Sequence, residues 1–500
     1  MSETFPSLLY GGYKTAGQIN PQAFADLNLD RLLPEETLAI LAAPCPTPLI
    51  TARQEIFALL ADSGFTNRFI ALKGAAVELS QAHEAYNTAR NRLETLLLFI
   101  RFARCYAAFC RLAECFNESA VLIAGFAAFF RASAEQTARL EAALDAIAPQ
   151  VLRISASVLY FSEYATTLDT CGGGLSVASK IRRAATALGF ELPARRPQSK
   201  LRTEPYFSDA LLKRYESETE QLERFAREFS PLLDPAITGY KRELDFYLTI
   251  RELCERASKA GVKQCFPALA DVPRFALRGS YDVTLLLKSA DGSTPVIVPN
   301  DAEFSADESV WFLTGANGGG KTTYLRAVAV NLILALAGAP VFAASAEVWA
   351  FTAVYTHFPA DERFTGSGRL VEEARRADEI LSNAGHGVFV FLNETYSGTD
   401  NEKGVALTLG AAESLRDRGA FALYVTHFHE VADAGFPMLN TVINAADPAL
   451  RTFRIVKSSA LRSSYALDIL RKYGLDAESL GARGTGDGER ENGERGTVAF

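Results

Sequence analysis

Apolar positions in the first half of the chain fall at helical spacing. From Leu72, the residues Leu72, Ala75, Leu79, Ala82, Tyr86, Ala89, Leu93, Leu96, Ile100 and Ala103 alternate intervals of three and four. That seam predicts one long helix packed along another. A second amphipathic helix is expected over Glu135 to Ile147, followed by a short β-type stretch from Val158 to Phe161. Leu211, Tyr215, Leu222, Phe225 and Phe229 return to helical spacing, and a further helix over Tyr240 to Ala260 ends where Gly261 can cap it. Residues 1–60 carry short apolar patches broken by prolines, among them Phe24 to Leu33, and predict a docking segment with one short helix.

The pattern changes after Gly261. Phe275 to Lys288 and Pro295 to Val298 read as strands joined through a turn at Asp291-Gly292. Apolar runs at Trp311 to Leu313, Val388 to Leu392 and Ala422 to Val425 then alternate with helix-like segments, the signature of an α/β domain. From Gly481 the chain is rich in glycine and charge with almost no apolar content, which predicts a disordered tail. The expected organisation is a docking segment (1–60), a helical domain (61–262), an α/β nucleotide-binding domain (263–478) and a tail (479–500). Within the helical part, Gly172-Gly173-Gly174 breaks the chain ahead of Lys180, Arg182, Arg183, Arg195, Arg196, Lys200 and Arg202. This basic stretch near 165–205 reads either as a clamp-like insertion that meets phosphates or as an ordinary solvated surface.

Composition narrows the picture only modestly. With 48% hydrophobic and 22% charged residues, the chain fits a soluble globular protein. A net charge of −8 argues against a generally basic nucleic-acid coat while allowing a local basic surface. The N-terminus lacks a basic stretch leading into an apolar run, and Ala120 to Phe130 is too short to span a bilayer. A cytoplasmic protein without a membrane partner is therefore expected. The seven cysteines form no C-x-x-C pair and read as reduced thiols. Cys105, Cys110 and Cys115 recur every five residues, which spreads them around a helix and does not gather them on a metal.

The chemistry concentrates after Trp311. Gly315, Gly320, Lys321 and Thr322 fit G-x-x-x-x-G-K-[ST], between an apolar strand and a long apolar helix. Glycines let backbone N–H groups turn toward the β- and γ-phosphates, and a helix N-terminus adds its positive end. Asn317, Gly318, Gly319, Gly320, Lys321, Thr322 and Thr323 are thus the expected residues for binding a nucleoside triphosphate. Lys321 supplies the neutralising charge, and the Thr322 hydroxyl is a ligand for Mg²⁺. Asn393-Glu394 closes the apolar run Val388 to Leu392, the place of a metal-side residue and a general base. Asn393 and Glu394 join Thr322 as expected metal-side residues, and Glu394 is the expected base. His427, after the run Ala422 to Val425, is placed to sense the γ-phosphate.

These residues resemble the MutS mismatch-repair ATPase family. The run from Thr314 to Lys321 with Thr322-Thr323-Tyr324-Leu325-Arg326 is similar to the family loop T-G-x-N-x-x-G-K-[ST]-[ST]-[YF]-[LM]-R. Val298-Pro-Asn-Asp301 matches the V-P-N-D ahead of that strand, where the family packs a side chain on adenine. Ser397-Gly-Thr-Asp400 with Gly404 resembles R-G-T-S-x-x-x-G, and Tyr424-Val-Thr-His427 resembles the family's A-T-H. Tyr240 to Leu248 and Cys265 to Pro267 are similar to a short MutS-like group. The resemblance implies an ABC-ATPase-like P-loop domain (MutS domain V) behind a helical core and lever. It also implies ATP and Mg²⁺ as cofactors, DNA as partner, and a homodimer formed through the ATPase domain.

Two positions depart from that pattern. The family usually carries Asp-Glu where this chain has Asn393-Glu394, so an uncharged amide replaces a metal-side carboxylate. The signature loop S-G-R-S-T-F aligns with Thr365-Gly-Ser-Gly-Arg-Leu370, which puts Gly368 in the serine's place and Ser367 one residue early. The chain before the helical core is also too short for the family's mismatch-reading and connector domains. Phe116-Asn-Glu118 and Phe161-Ser-Glu163 match the mismatch wedge tripeptide only by coincidence of composition. Three functions are compatible with these residues: an ATP-driven DNA-binding dimer, a slow or non-enzymatic ATP-gated clamp or scaffold, and a small-molecule phosphotransferase. The last lacks any acceptor-binding signature.

Overall fold

The computed structural model of the chain describes residues 5–15, 17–163, 205–291, 298–358, 367–396, 401–444 and 451–457. The triple-glycine break and its basic stretch, Pro295, Thr365, Ser397 to Asp400 and the expected tail lie outside the described residues. The chain divides into two compact units, one of residues 1–14 with 51–252 and the other of 15–50 with 253–500.

The N-terminal segment has more structure than one short helix. A strand β1 (Gln18–Ile19) is followed by α1 (Gln22–Asp26), α2 (Glu35–Leu41) and α3 (Thr47–Leu59). Residues ahead of β1 join the helical unit instead. There the Glu243 carboxylate accepts from Ser7 Oγ at 2.8 Å and from the Leu8 N–H at 2.6 Å, and the buried Arg53 donates Nε to the Leu9 carbonyl at 2.8 Å.

The seam beginning at Leu72 is two helices, not one. It splits into α4 (Ser63–Asn87) and α5 (Arg92–Glu114), which pack against each other. The first ends at Thr88, whose N–H and hydroxyl bond back to the Glu84 and Ala85 carbonyls, and Asn91 starts the second. Its Oδ1 accepts from the Glu94 N–H at 2.9 Å, and Glu94 Oε2 accepts from the Arg90 N–H at 3.0 Å, a reciprocal cap. The seam survives the fold-back because its residues now face across a hairpin. Leu72, Leu79 and Ala82 are buried on α4, and Leu93, Leu96, Ile100 and Ala103 on α5. Tyr86 stacks on Phe102 with ring centres 6.3 Å apart. Phe116, in the first wedge-like tripeptide, is buried among Phe65, Phe69 and Phe126, which makes it a core residue.

Helices α6 (Val121–Ala132) and α7 (Ala134–Glu163) follow. The expected β-type stretch at Val158 to Phe161 is helical, because α7 continues through Pro149. Its buried stripe of Leu140, Leu144, Ile147 and Ile154 carries the helical period past the proline, and that packing overrides strand propensity. The stretch from Asp209 to Phe229 is likewise two helices, α8 (Pro205–Arg214) and α9 (Glu216–Phe229). Helix α10 (Tyr240–Lys259) ends as expected, with Gly261 at φ +81° and the Val262 N–H on the Ala257 carbonyl at 3.0 Å.

The second unit holds two sheets. Strands β2 (Ala268–Leu269), β3 (Arg274–Ser280), β4 (Asn300–Ser305) and β6 (Ser345–Val348) form the smaller one, in the order β2-β6-β3-β4. The strand expected to reach Lys288 ends at Ser280. Asp282 Oδ1 accepts from both the N–H and the hydroxyl of Thr284, at 3.0 and 2.7 Å, and this turn sends residues 283–291 into a 3₁₀ helix. Val298 lies outside any strand.

The larger sheet contains β5 (Val310–Thr314), β7 (Ala353–His357), β8 (Val388–Asn393), β9 (Phe421–Val425), β10 (Met438–Ile443) and β11 (Arg451–Lys457). With β1 its order is β1-β7-β8-β9-β5-β10-β11, parallel except for the β10–β11 hairpin. Helices α11 (Lys321–Leu336), α12 (Ser367–Asn383) and α13 (Asn401–Asp417) connect its strands. Strands β5, β8 and β9 are buried along their whole length, as parallel strands covered on both faces require. One face packs Phe312, Val390, Leu392, Ala422 and Tyr424 against Ala411, Ala412 and Leu415 of α13. Among the described residues no helix is long and apolar enough to cross a membrane and no cysteine is disulfide-bonded, with Cys171 outside the described set.

Candidate nucleotide site

The order β8-β9-β5-β10 brings the carboxyl ends of these parallel strands to one edge of the sheet, where ligands of open α/β sheets bind. Three sequence signals arrive there together: the glycine loop after β5, Asn393-Glu394 at the end of β8, and Thr426-His427 after β9.

The loop from Gly315 to Gly320 runs directly into α11. Gly315 has φ +127°, and a Cβ there would lie 2.2 Å from Thr441 Oγ1. Gly320 is the N-cap of α11 with φ +95°, and no side chain caps the helix. The N–H groups of its first turn are thus left to a ligand or to water. The Lys321 side chain is buried, and its ammonium donates to the Gly315 carbonyl at 2.7 Å, Asn317 Oδ1 at 3.2 Å and the Ala316 carbonyl at 3.4 Å. Burial pushes the Lys321 pKa below its ordinary value. The Glu394 carboxylate opposes that shift, and the Arg451 guanidinium adds to it. Lys321, Glu394 and Arg451 therefore share one electrostatic neighbourhood. Asn317 and Gly318 are exposed on the loop, Gly319 is buried, and Thr323 is half-buried behind Thr322.

Thr322 meets the end of β8, with its Oγ1 3.4 Å from Asn393 Oδ1. The half-buried Glu394 sits one residue beyond, its N–H on the Val425 carbonyl at 2.8 Å. Glu394 adopts φ +51° and Tyr396 φ +68°, both left-handed without being glycine. The Thr426 N–H donates to the Leu313 carbonyl at 3.1 Å, which ties the end of β9 to β5, and His427 after it is exposed, its ring beside Phe428. Val298 arrives from another direction. Asn300 Nδ2 donates to its carbonyl at 3.2 Å and to that of Phe453 at 3.0 Å, while Asn300 Oδ1 accepts from the Ile455 N–H at 2.8 Å. Ser367 and Gly368 open α12, while Thr365 and Gly366 just ahead of them lie outside the described residues.

The structure adds residues that spacing did not reveal. Thr441 packs against Gly315 and Gly319, and Phe453, itself at φ +55°, lies over Gly320, so the β10–β11 hairpin covers the glycine loop. Thr314 Oγ1 hydrogen-bonds Asn440 Oδ1 beneath it. Asn300 of V-P-N-D bonds the hairpin at Phe453 and Ile455, a contact that no spacing in the sequence announces. Among the described residues there is no group of three or more His, Cys, Asp or Glu side chains that could hold a metal. A hard divalent ion would therefore draw most of its ligands from phosphate and water, with the Thr322 hydroxyl and the neighbouring Asn393 oxygen as protein donors. The glycine cradle, the open helix end and this oxygen pair fit a triphosphate with Mg²⁺.

Residues 311–480 match the MutS domain V family, an α/β nucleotide-binding type of domain. The chain is 31% identical over 287 residues to the DNA mismatch repair protein MutS of Thermus aquaticus, a match covering 55% of this chain and 33% of that protein. It is 30% identical over 295 residues to the DNA mismatch repair protein MutS 2 of Halobacterium salinarum, covering 51% and 34% respectively. Its identity to the DNA mismatch repair protein MutS of Granulibacter bethesdensis is 32% over 196 residues, or 38% of this chain and 21% of that protein. The chain thus spans about a third or less of the curated relatives it matches.

Proposed function

We propose, for a chain that belongs to the MutS family, that it binds ATP at the Gly315–Thr323 loop, hydrolyses it slowly, and uses the nucleotide to control binding to DNA. The carrying observation is the meeting of the glycine loop with the end of β8, where Thr322 Oγ1 comes within 3.4 Å of Asn393 Oδ1 and Glu394 follows. The loop glycines and the first turn of α11 direct N–H groups toward the phosphates. Lys321 exchanges its bonds to loop carbonyls for the phosphate oxygens. Thr322, with Asn393 beside it, would hold Mg²⁺, which would supply charge screening to the phosphates. Glu394 takes a proton from the attacking water, and His427 contacts the γ-phosphate side. Val298 packs against the base. Domain roles follow the family: 263–478 as a P-loop ATPase of the ABC type, 61–262 as the lever and clamp, 1–60 as the docking segment, and a homodimer formed through the ATPase domain of a cytoplasmic protein.

Turnover in single-turnover assays that Glu394→Gln abolishes supports this reading; turnover that survives the change overturns Glu394 as base. DNA binding is tested separately. With ATP at low salt, affinity for duplex, mismatched or branched DNA is expected and should fall as salt rises. Equal or absent affinity with and without ATP refutes nucleotide control.

A second reading has its own observation. Asn393 brings a neutral amide to the metal side, so the same site suits an ATP-gated clamp or scaffold that turns over very slowly or not at all. Asn393→Asp separates the two. A rise in Mg²⁺-dependent hydrolysis of about tenfold marks the wild-type site as metal-limited, and no change removes Asn393 from the metal.

A further inference from the structure

The turn that carries Glu394 is strained and is held by a buried hydrogen-bonded chain that crosses three strands. Glu394 and Tyr396, both left-handed, flank Thr395, which is 3% exposed. Left-handed backbone at non-glycine residues persists only where the surroundings over-determine it. Here the surroundings are identifiable. Thr395 Oγ1 lies 3.0 Å from Nδ1 of His357, at the end of β7, and His357 is 1% exposed. The Thr395 carbonyl accepts from the Tyr424 hydroxyl of β9 at 3.2 Å, and that hydroxyl is 3.3 Å from Thr408 Oγ1 of α13. The strands on either side of β8 therefore each send one polar side chain to the residue next to Glu394.

Resting on the reading of Glu394 as general base, we infer that His357 and Tyr424 are positioning residues for that carboxylate. They clamp Thr395 by its hydroxyl and its carbonyl, and so fix the turn that aims Glu394 at the phosphate loop. Both side chains are buried, so they act on the turn and not on the nucleotide. The clamp also joins the turn to β7, β9 and α13, so a shift of these elements against β8 would re-aim the base without altering the cradle.

The test compares Thr395→Val, His357→Ala and Tyr424→Phe with Glu394→Gln in the full chain, measuring ATP affinity and single-turnover hydrolysis. Thr395→Val keeps shape and removes only the hydroxyl, so it serves even where His357→Ala does not fold. Each clamp variant is expected to lower kcat by about 10- to 100-fold, with KM and ATP affinity within about twofold of wild type. His357→Gln, whose amide can still bond a hydroxyl, and Thr395→Ser should restore most of the rate. The double variant His357→Ala/Thr395→Val should be no slower than the worse single one. If Glu394→Gln abolishes turnover while Thr395→Val and Tyr424→Phe leave kcat within twofold, or if the losses fall on KM, the clamp is overturned and the base reading stands. If turnover survives Glu394→Gln, the base reading itself fails.

Discussion

Two turns leave the same edge of the larger sheet, and both need left-handed backbone. After β5 that requirement falls on glycine, with Gly315 at φ +127° and Gly320 at φ +95°. After β8 it falls on Glu394 at φ +51° and Tyr396 at φ +68°. The first turn needs its side chains removed, because Thr441 of the β10–β11 hairpin occupies the space a Cβ would take at Gly315 and Gly319, and Gly320 adopts a φ that L residues rarely reach. The second needs its side chains present, because Thr395 anchors the turn to His357 and Tyr424, and on the proposed reading Glu394 is the base. A binding loop can thus be specified locally by residues that offer no resistance. A turn that carries polar side chains through unfavourable backbone is stabilised by its neighbours.

The sharpest way to break this contrast is to give the glycine loop a side chain. Gly315→Ala places a methyl group 2.2 Å from Thr441 Oγ1 at a φ that L residues rarely adopt. Strain and overpacking together should cost about 3 kcal/mol of stability and disorganise the loop. Denaturant melts and ATP titration measure both effects. A variant with wild-type stability would show that the hairpin does not confine the loop.

Next in size is Lys321→Ala, which leaves every glycine in place. Loss of the ammonium should weaken ATP binding by about 100-fold, or about 2.7 kcal/mol, with the fold retained. Titration with a fluorescent ATP analogue reads the change, and unaltered affinity would refute the assignment of the loop.

The same contrast explains what could be read in advance. The strand, the glycine turn and helix α11 were legible because G-x-x-x-x-G-K-[ST] records a local requirement. Of the turn after β8, only its position at Asn393-Glu394 was legible. Its support comes from His357, Tyr424 and Thr408, which lie far apart in the chain and follow no spacing rule. The roof over the loop was missed for the same reason, since Thr441 and Phe453 meet the glycines through strand order. In the helical unit, the seam from Leu72 recorded which residues are buried but not the fold-back. The restart lies in Asn91 and Glu94, whose capping arrangement opens α5 without disturbing the apolar period.

The opposite substitution sharpens the comparison from the other side. Glu394→Gly makes the base turn resemble the glycine loop by relieving left-handed strain, at the cost of a more flexible unfolded chain. A net stabilisation of up to about 1 kcal/mol is expected, together with complete loss of turnover. Chemical denaturation and single-turnover assays read the two quantities. A destabilised variant would mean that the Glu394 side chain holds the turn in addition to acting from it.

The smallest effect concerns the charge between the turns. Burial lowers the Lys321 pKa, and Glu394 only partly offsets this. In the window between that lowered value and the ordinary lysine value of about 10.5, the unfolded chain binds more protons than the folded one, so this residue's contribution to stability rises with pH. ATP affinity should move the other way. The triphosphate needs the ammonium form, so affinity is full below the lowered pKa, falls as pH rises through it, and is accompanied there by proton uptake. Calorimetric titration in buffers of different ionisation enthalpy measures that proton. Lys321→Arg supplies the control, because a guanidinium stays charged across the window and should flatten the profile. A wild-type profile as flat as the arginine variant's would place the Lys321 charge outside the binding equilibrium and leave the cradle to its backbone alone.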